Sequence, residues 1–379
     1  MTLEQYDLVI IGGGLSGAAT CYFAAKRGAR VLLLERRDLN LAASGSNAGS
    51  IHAQIPFDAF RDYGPDWAAR YAATIPLFMA SIARWAALEA ELGGDLGVAT
   101  KGGLMVAASD RDLLALEQKA EIERQAGLPV EIWSASDLYA KAPYLGAGLA
   151  GGAFCPIEGK ADPFRATPLF ARRAVEAGAE IRRNTPVEAI DACGTGFSLR
   201  VPGGTIRCDR VVNAAGAEAA RVGRMLGLDL ALEGHPIQVA VTEKRPPLLP
   251  YLLYYTGDRL TLKQAAEGGF LIGGGWPARM RGRPVVSEVS MLRNLAVAKR
   301  VLPGLADTSV VRSWAAIVNG TADWHPILGE APGVPGFFLN LFPWMGFTAA
   351  PAVSEALADL ALGYQPALDL SPFSLGSDI

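Results

Sequence analysis

The 379-residue chain predicts a mixed α/β protein of two domains, one assembled discontinuously and one built around an antiparallel sheet. Three observations carry this reading. A buried strand, a glycine turn and a helix open the chain. Patterns of the same α/β kind return in the middle and at the end. Between them lie short strand-like runs with aromatic content.

The run Asp7-Leu8-Val9-Ile10-Ile11 reads as the buried strand, and Gly12-Gly13-Gly14-Leu15-Ser16-Gly17 follows as G-x-G-x-x-G. Gly12 permits the tight turn, Gly14 lets backbone approach a pyrophosphate, and Gly17 lets the helix pack on the strand. The helix N-terminus then offers N–H groups and a positive dipole end to phosphates. A second strand, Val31–Leu34, ends in Glu35. That is about 20 residues on, where a carboxylate takes the ribose hydroxyls. Strand, turn, helix and acid together define a Rossmann-like dinucleotide-binding unit; a glycine turn alone would not.

Next comes Ala43-Ser44-Gly45-Ser46-Asn47-Ala48-Gly49-Ser50, small residues that let a planar ligand lie close to backbone, or form a plain flexible loop. Residues 66–92 have helical spacing, 101–107 read as a strand, and 110–126 as a helix with mixed charges on one face. A helix over 164–177 starts after Asp162-Pro163, and a strand at 180–183 follows. Residues 208–213 form another buried strand, ending in Ala214-Ala215-Gly216. Segments 237–242, 251–255, 259–263 and 269–273 read as an antiparallel sheet, which a helix over 286–301 interrupts and 310–317 resumes. Strand 336–341 and helix 348–362 return to α/β style. The dinucleotide domain therefore spans 1–75, 155–230 and 325–379, and the substrate-binding domain spans 76–154 and 231–324.

Half of the residues are hydrophobic, enough for ample cores, and the net charge of −3 gives no reason to expect nucleic acid or anionic lipid as a partner. Cys21, Cys155, Cys193 and Cys208 form no C-x-x-C, and the histidines are only His52, His235 and His325, so no metal site is expected. Scattered cysteines fit a reducing cytoplasm. The apolar stretch 8–25 follows an acidic leader, MTLEQYD, and is broken by glycines that the strand–turn–helix reading explains. No transmembrane segment or signal peptide is expected from it. The slightly positive mean hydropathy reflects alanine richness or a surface covered by a partner subunit.

The order of G-x-G-x-x-G with Glu35, then ASGSNAGS, Val187, Val211-Val212-Asn213-Ala214-Ala215-Gly216 and a C-terminal GFTAAP helix start resembles the D-amino acid oxidase superfamily. Within it the pattern is most similar to the glycine and sarcosine oxidase branch, and to FAD-bearing β subunits of bacterial D-amino acid, hydroxyproline and opine dehydrogenases. LTLKQ (260–264), LIGGGW (271–276) and WHPILGEAPGVPGFF (324–338) extend the resemblance over nearly the whole chain. It implies a discontinuous Rossmann-like FAD-binding domain plus an antiparallel-sheet α+β substrate domain. Gly12, Gly14, Leu15, Ser16 and Gly17 would then hold the pyrophosphate, Glu35 the adenosine ribose, and Arg36 and Arg37 would lie beside the adenine. Ser44, Gly45, Ser46, Asn47, Ala48 and Gly49 would wrap the pyrophosphate and the flavin edge. Val187 would meet the adenine, Ala214, Ala215 and Gly216 would pass under the cofactor, and Gly346, Phe347 and Thr348 would present amides to the flavin pyrimidine. No cysteine lies near the C-terminal flavin loop, so FAD is expected to bind non-covalently.

In relatives an arginine shortly after W-A-G-L clamps the substrate carboxylate; here Trp314-Ala315-Ala316-Ile317 is followed by Val318 and Asn319. Lys263 and Arg259 are the nearest substitutes, although Lys263 equally reads as an outward strand charge. Tyr254, Tyr255 and Trp276 flank the glycine-rich sheet, as pocket walls or core packing. His52 follows the small-residue loop, at the flavin edge, at a subunit-interface cofactor or in a structural role. His325 reads as structural, Cys208 as core, and Trp344 and Met345 as bordering the active site.

The leading expectation is an FAD-dependent amine or amino acid dehydrogenase or oxidase. It would act on a D-amino acid, imino acid or N-substituted amino acid by hydride transfer to flavin N5, with no catalytic triad required. A 2-hydroxy acid or polyol phosphate dehydrogenase would keep the fold but needs a base, and histidine is scarce. A non-catalytic flavin electron-transfer subunit is the third reading. A hetero-oligomeric electron-accepting subunit is the expected partner besides the small amine.

Overall fold

The computed structural model describes residues 4–376, so Met1, Thr2 and Leu3 of the leader and the last three residues lie outside the described residues. Two eight-stranded sheets organise the chain. The first has the order Ile327–Glu330, Phe337–Leu341, Gly204–Asn213, Glu4–Ile11, Val31–Leu34 and Glu180–Arg182, with Ala189–Cys193 and Gly196–Val201 attached through Gly204–Asn213. Glu4–Ile11 pairs in parallel with both neighbours, and Val9 lies opposite Leu32 on one side and Val211 on the other. Buried on both faces, these strands need continuous apolar runs, which Leu8-Val9-Ile10 and Val31–Leu34 supply. Each such side chain contributes about 1.5–3 kcal/mol of burial.

Leu15–Lys26 is buried along nearly its whole length. It packs between Gly346–Ala361 and Pro163–Glu176, with the Tyr22 and Phe23 rings 5.8 and 5.9 Å from Phe170. A helix apolar all round must be enclosed in this way. The first and last segments of the chain therefore meet beneath the G-x-G-x-x-G turn.

The second sheet has the order Val310–Gly320, Glu233–Lys244, Gly269–Gly273, Thr261–Gln264, Leu252–Tyr255, Gly103–Ala107, Gly151–Cys155 and Glu131–Ser134. It is antiparallel except where Leu252–Tyr255 runs parallel to Gly103–Ala107. The strands Glu131–Ser134 and Gly151–Cys155 carry too few alternating apolar residues to announce themselves in the sequence.

The expected helix over 66–92 is two helices, Phe57–Tyr71 and Ile75–Leu92, joined by a 3₁₀ turn. Gly64, at φ 81° and followed by Pro65, kinks the first of them. Ile75–Leu92 packs on the C-terminal helix of the first sheet's layer. By composition the stretch Phe57–Leu92 is long and apolar enough to cross a membrane, but 56% of its most apolar window is buried inside the protein.

Candidate active site

Two recesses meet at Trp344, which lines both. The first is a cleft along the end of the parallel sheet, walled by Gly12, Gly13, Gly14, Leu15 and Ser16, by Glu35 to Asp38, by Ser44 and Asn47, and by Ala214 to Glu218. Gly346 and Phe347 close its far end. Its shape comes from backbone. Gly12 holds φ 117°, and a Cβ there would lie 2.5 Å from Ala214 O. Gly17 lies beneath, where a Cβ would come 1.9 Å from Gly12 O. Gly14 differs: an added Cβ would meet only Ser44, whose Oγ accepts from Leu15 N at 2.9 Å. The space over Gly14 is open cleft.

Glu35 is pinned at the end of Val31–Leu34, its Oε2 accepting from Gly13 N at 2.7 Å and its Oε1 from Arg37 N at 2.8 Å. A carboxylate has about four acceptor sites, so two remain for a diol. Neither Leu15–Lys26 nor Gly346–Ala361 has an N-cap side-chain bond or an acid in its first turn. Apart from Leu15 N, which Ser44 Oγ holds, their first-turn N–H groups are thus available to an anionic or acceptor ligand. Glycine cradle, diol acceptor and two uncapped helix ends fit a flavin dinucleotide.

The other expected residues lie as follows. Arg36 pairs with Glu218 at 3.1 Å on the cleft wall, where Arg37 also stands. Gly45, Ser46, Ala48 and Gly49 sit behind Ser44 and Asn47 around the short helix Ala43–Ser46; a Cβ on Gly45 would meet Asn40 O at 1.9 Å. Val187 is buried in the apolar cluster under the sheet, its carbonyl accepting from Arg221 at 3.4 Å. Thr348 is buried, and its hydroxyl accepts from His52 N at 3.0 Å and donates to Ser50 O at 3.3 Å. Val318 and Asn319 line the dinucleotide cleft, not the second recess.

That second recess is a cavity of about 430 Å³ between the sheet and the kinked helix. The sheet gives it Tyr254, Tyr255 and His235; the helix gives Tyr63, Trp67 and Tyr71. Tyr63, Trp67 and Tyr71 recur every four residues, so they share one helical face. Sequence reasoning missed this aromatic stripe, although its four-residue spacing is present in the sequence. Trp324 and Trp344 complete the walls, their rings 5.9 Å apart, both at left-handed φ of 65° and 54°. Such backbone costs about 1–3 kcal/mol per residue and is held in place by its surroundings. Gly275 makes room, since a Cβ there would lie 2.4 Å from the Trp344 ring.

His52 lines the cavity and stacks on Tyr254 at 6.2 Å. Burial, reinforced by the Lys263 charge, pushes its imidazole down to about 3, so it is neutral at ordinary pH. Charge is confined to Arg259, Asp58 and Asp62. Arg259 is half-exposed, donates to Gly275 O at 3.0 Å and stands 3.9 Å from Asp58.

Three sequence expectations are corrected. Lys263 is not an outward charge: it is 2% exposed and its Nζ donates to Ser50 Oγ, because neighbouring elements cover that face of the strand. Burial, with Lys160 nearby, pushes its ammonium down to about 7. Trp276 packs in the core of the second sheet and donates to Arg259 O at 2.5 Å, away from the cavity. Met345 is fully buried behind Trp344, with its sulfur 3.3 Å from the Tyr71 hydroxyl. His325, also buried, lies 3.1 Å from Asp323 and edge-on to Tyr71. Cys208 is core, as expected. Sequence reasoning missed Gln54, which lines the cavity, and Glu158, which holds it.

A family model described as "FAD dependent oxidoreductase" (DAO) matches residues 7–360. The glycine oxidase of Geobacillus kaustophilus (strain HTA426) is 30% identical over 387 aligned positions, covering 98% of this chain and 97% of the relative. The B subunit of opine oxidase from Rhizobium meliloti is 30% identical over 344, covering 89% and 88%. The crystal structure of glycine oxidase from Geobacillus kaustophilus superimposes with a TM-score of 0.87 at 28% identity, covering 99% of this chain and 100% of that one.

Proposed function

The chain belongs to the DAO family of FAD-dependent oxidoreductases, and we propose that it oxidises the C–N bond of a D-amino acid, imino acid or N-substituted amino acid of opine or sarcosine type. One observation carries this reading: an aromatic-walled cavity shares Trp344 with the dinucleotide cleft, beside the N-terminus of Gly346–Ala361. When bound, FAD supplies a two-electron acceptor at N5 for the hydride leaving the carbon beside nitrogen. The chain's own residues do the rest. Gly12 to Ser16, Glu35, Ser44, Asn47, Ala214 to Gly216, Gly346 and Phe347 hold the cofactor, and the helix end offers positive potential where negative charge builds. The aromatic walls exclude water and align the amine, which must enter unprotonated. FAD binding is non-covalent in this reading, since among the described residues no cysteine lines either recess.

A hydroxy acid substrate would need a proton acceptor at the cavity. His52, with its imidazole held near 3, is a poor one at neutral pH. An electron-transfer subunit without a substrate has no use for a 430 Å³ cavity. The enzyme works as a dehydrogenase subunit, passing electrons to a partner. Support comes from the opine oxidase relative, which is itself named as one subunit of an oxidase, and from exposed apolar side chains such as Leu292 and Val311, each 68% exposed. The four cysteines, all unpaired, favour the cytoplasm.

The test is anaerobic mixing of the FAD-loaded protein with a panel of such amines and of matched hydroxy acids, following bleaching of the flavin. Bleaching by amines alone is expected; bleaching by hydroxy acids alone overturns the C–N assignment. Artificial dyes should then reoxidise the flavin much faster than air does. Hydrogen peroxide formed at full turnover by a monodisperse monomer would overturn the subunit role.

A further inference from the structure

Glu158 is fully buried and pairs with no cation among the described residues; burial pushes its carboxyl up, against the pull of the donors aimed at it. Its Oε1 accepts from Ala53 N at 2.5 Å and Gln54 N at 2.7 Å, and its Oε2 from Gln54 Nε2 at 3.0 Å and the Tyr254 hydroxyl at 3.3 Å. Room for it depends on Gly103, where a Cβ would lie 1.8 Å from Oε2. The other carboxylate here, Glu123, is the one that Lys119 neutralises, and it holds Ile55 N at 2.6 Å. A carboxylate held only by neutral donors is a costly thing to bury, so its effect on those donors matters.

Two of the donors belong to cavity-lining side chains. Tyr254 spends its only hydrogen on Glu158, which leaves its oxygen with lone pairs and nothing to donate. Gln54 spends its amide hydrogens on Glu158 and on Gly103 O at 3.3 Å, and both partners are acceptors, which fixes the orientation of the amide. Its Oε1, itself buried, has no partner among the described residues. The wall next to His52 is thus stripped of side-chain donors at these two positions.

We propose that Glu158 is a positioning residue that sets substrate polarity: by accepting from Tyr254 and Gln54 it strips these two positions of side-chain donors, so that this stretch of the wall receives an N–H group and turns away a carboxylate. A substrate's acid group then lies toward Arg259, the sole cation on the cavity wall among the described residues. This role for Glu158 rests on the amine-oxidising reading above.

Benzylamine and benzoate share a ring and differ in donor and acceptor character, so they serve as probes. Each is titrated anaerobically into FAD-loaded wild type and Glu158→Gln, following flavin absorbance. Where benzylamine bleaches the flavin, the half-saturating concentration of that rate is used. The Gln carboxamide keeps the shape and one acceptor for Ala53 and Gln54 N–H, but its NH₂ faces Gln54 Nε2 and Tyr254 Oη. Tyr254 must then accept and turn its hydrogen to the cavity, while Gln54, whose other amide hydrogen Gly103 O still holds, loses an acceptor. The ratio of benzoate to benzylamine dissociation constants should fall at least about tenfold, with benzylamine weakened and benzoate strengthened. Parallel shifts of both ligands, or none, overturn the proposal. If Glu158→Gln does not fold, Tyr254→Phe is read instead: benzylamine should weaken several-fold with benzoate no weaker, and equal loss of both overturns it. Failure of every amine to bleach wild-type flavin sinks the amine reading itself, a different outcome from an unchanged ratio.

Discussion

The dinucleotide cleft and the substrate cavity share Trp344, but they are made of different material. Backbone makes the cleft: a turn at φ 117°, helix ends, and one acid at a strand terminus. Side chains make the cavity, converging from the 52–71 segment, the second sheet and the tryptophan turns. Surfaces made of backbone tolerate almost no added atom, whereas walls made of side chains retune when one is exchanged. The contrast explains how a chain can keep its cofactor site intact while the side chains of its cavity are exchanged.

The largest effect is expected at Gly17. A methyl there would sit 1.9 Å from Gly12 O, a backbone atom that cannot step aside, so Gly17→Ala should abolish folded, yellow protein, measured by soluble yield and far-ultraviolet circular dichroism. Recovery of normal holoprotein would break the contrast at its strongest point. Gly14→Val sharpens it. The added side chain meets only Ser44, so the chain should fold normally and lack flavin in its absorbance spectrum.

Glu35→Ala comes next. It removes the diol acceptor and the brace on Gly13 N, and FAD affinity should fall about tenfold or more by equilibrium titration, since bonds to a charged group contribute about 1.5–3 kcal/mol. An unchanged dissociation constant would place the ribose elsewhere.

The smallest effect belongs to the side-chain region. Burial lowers Lys263 from 10.5 to about 7, so the unfolded chain binds more protons than the folded one between those values, and stability rises with pH across that window. The penalty is fully present below about pH 7. Lys263→Met should therefore raise the melting temperature more at pH 6 than at pH 9, with both proteins in the same cofactor state. A pH-independent difference would mean that Lys263 stays charged throughout.

The sequence by itself determined the first two buried strands, the glycine turn, Glu35 and the C-terminal helix. Each is local: a few consecutive residues fix a period, a positive φ or a strand end, and the chemistry follows wherever the segment lies. It also marked Tyr254, Tyr255 and His52 as cavity candidates, because they flank the strands and loop that the dinucleotide motif orients. Tertiary structure decided the remainder. Trp276 and Lys263 sit on strands whose alternation alone could not say which face a neighbour covers, and Met345 turned inward behind a tryptophan at φ 54°. The bonds of Glu158 to Gln54 and Tyr254 span 104 and 96 residues. No local pattern encodes a bond of that reach; it exists only because the loop after Ser50–Ile51, the turn after Gly151–Cys155 and the strand Leu252–Tyr255 fold together around a buried carboxylate.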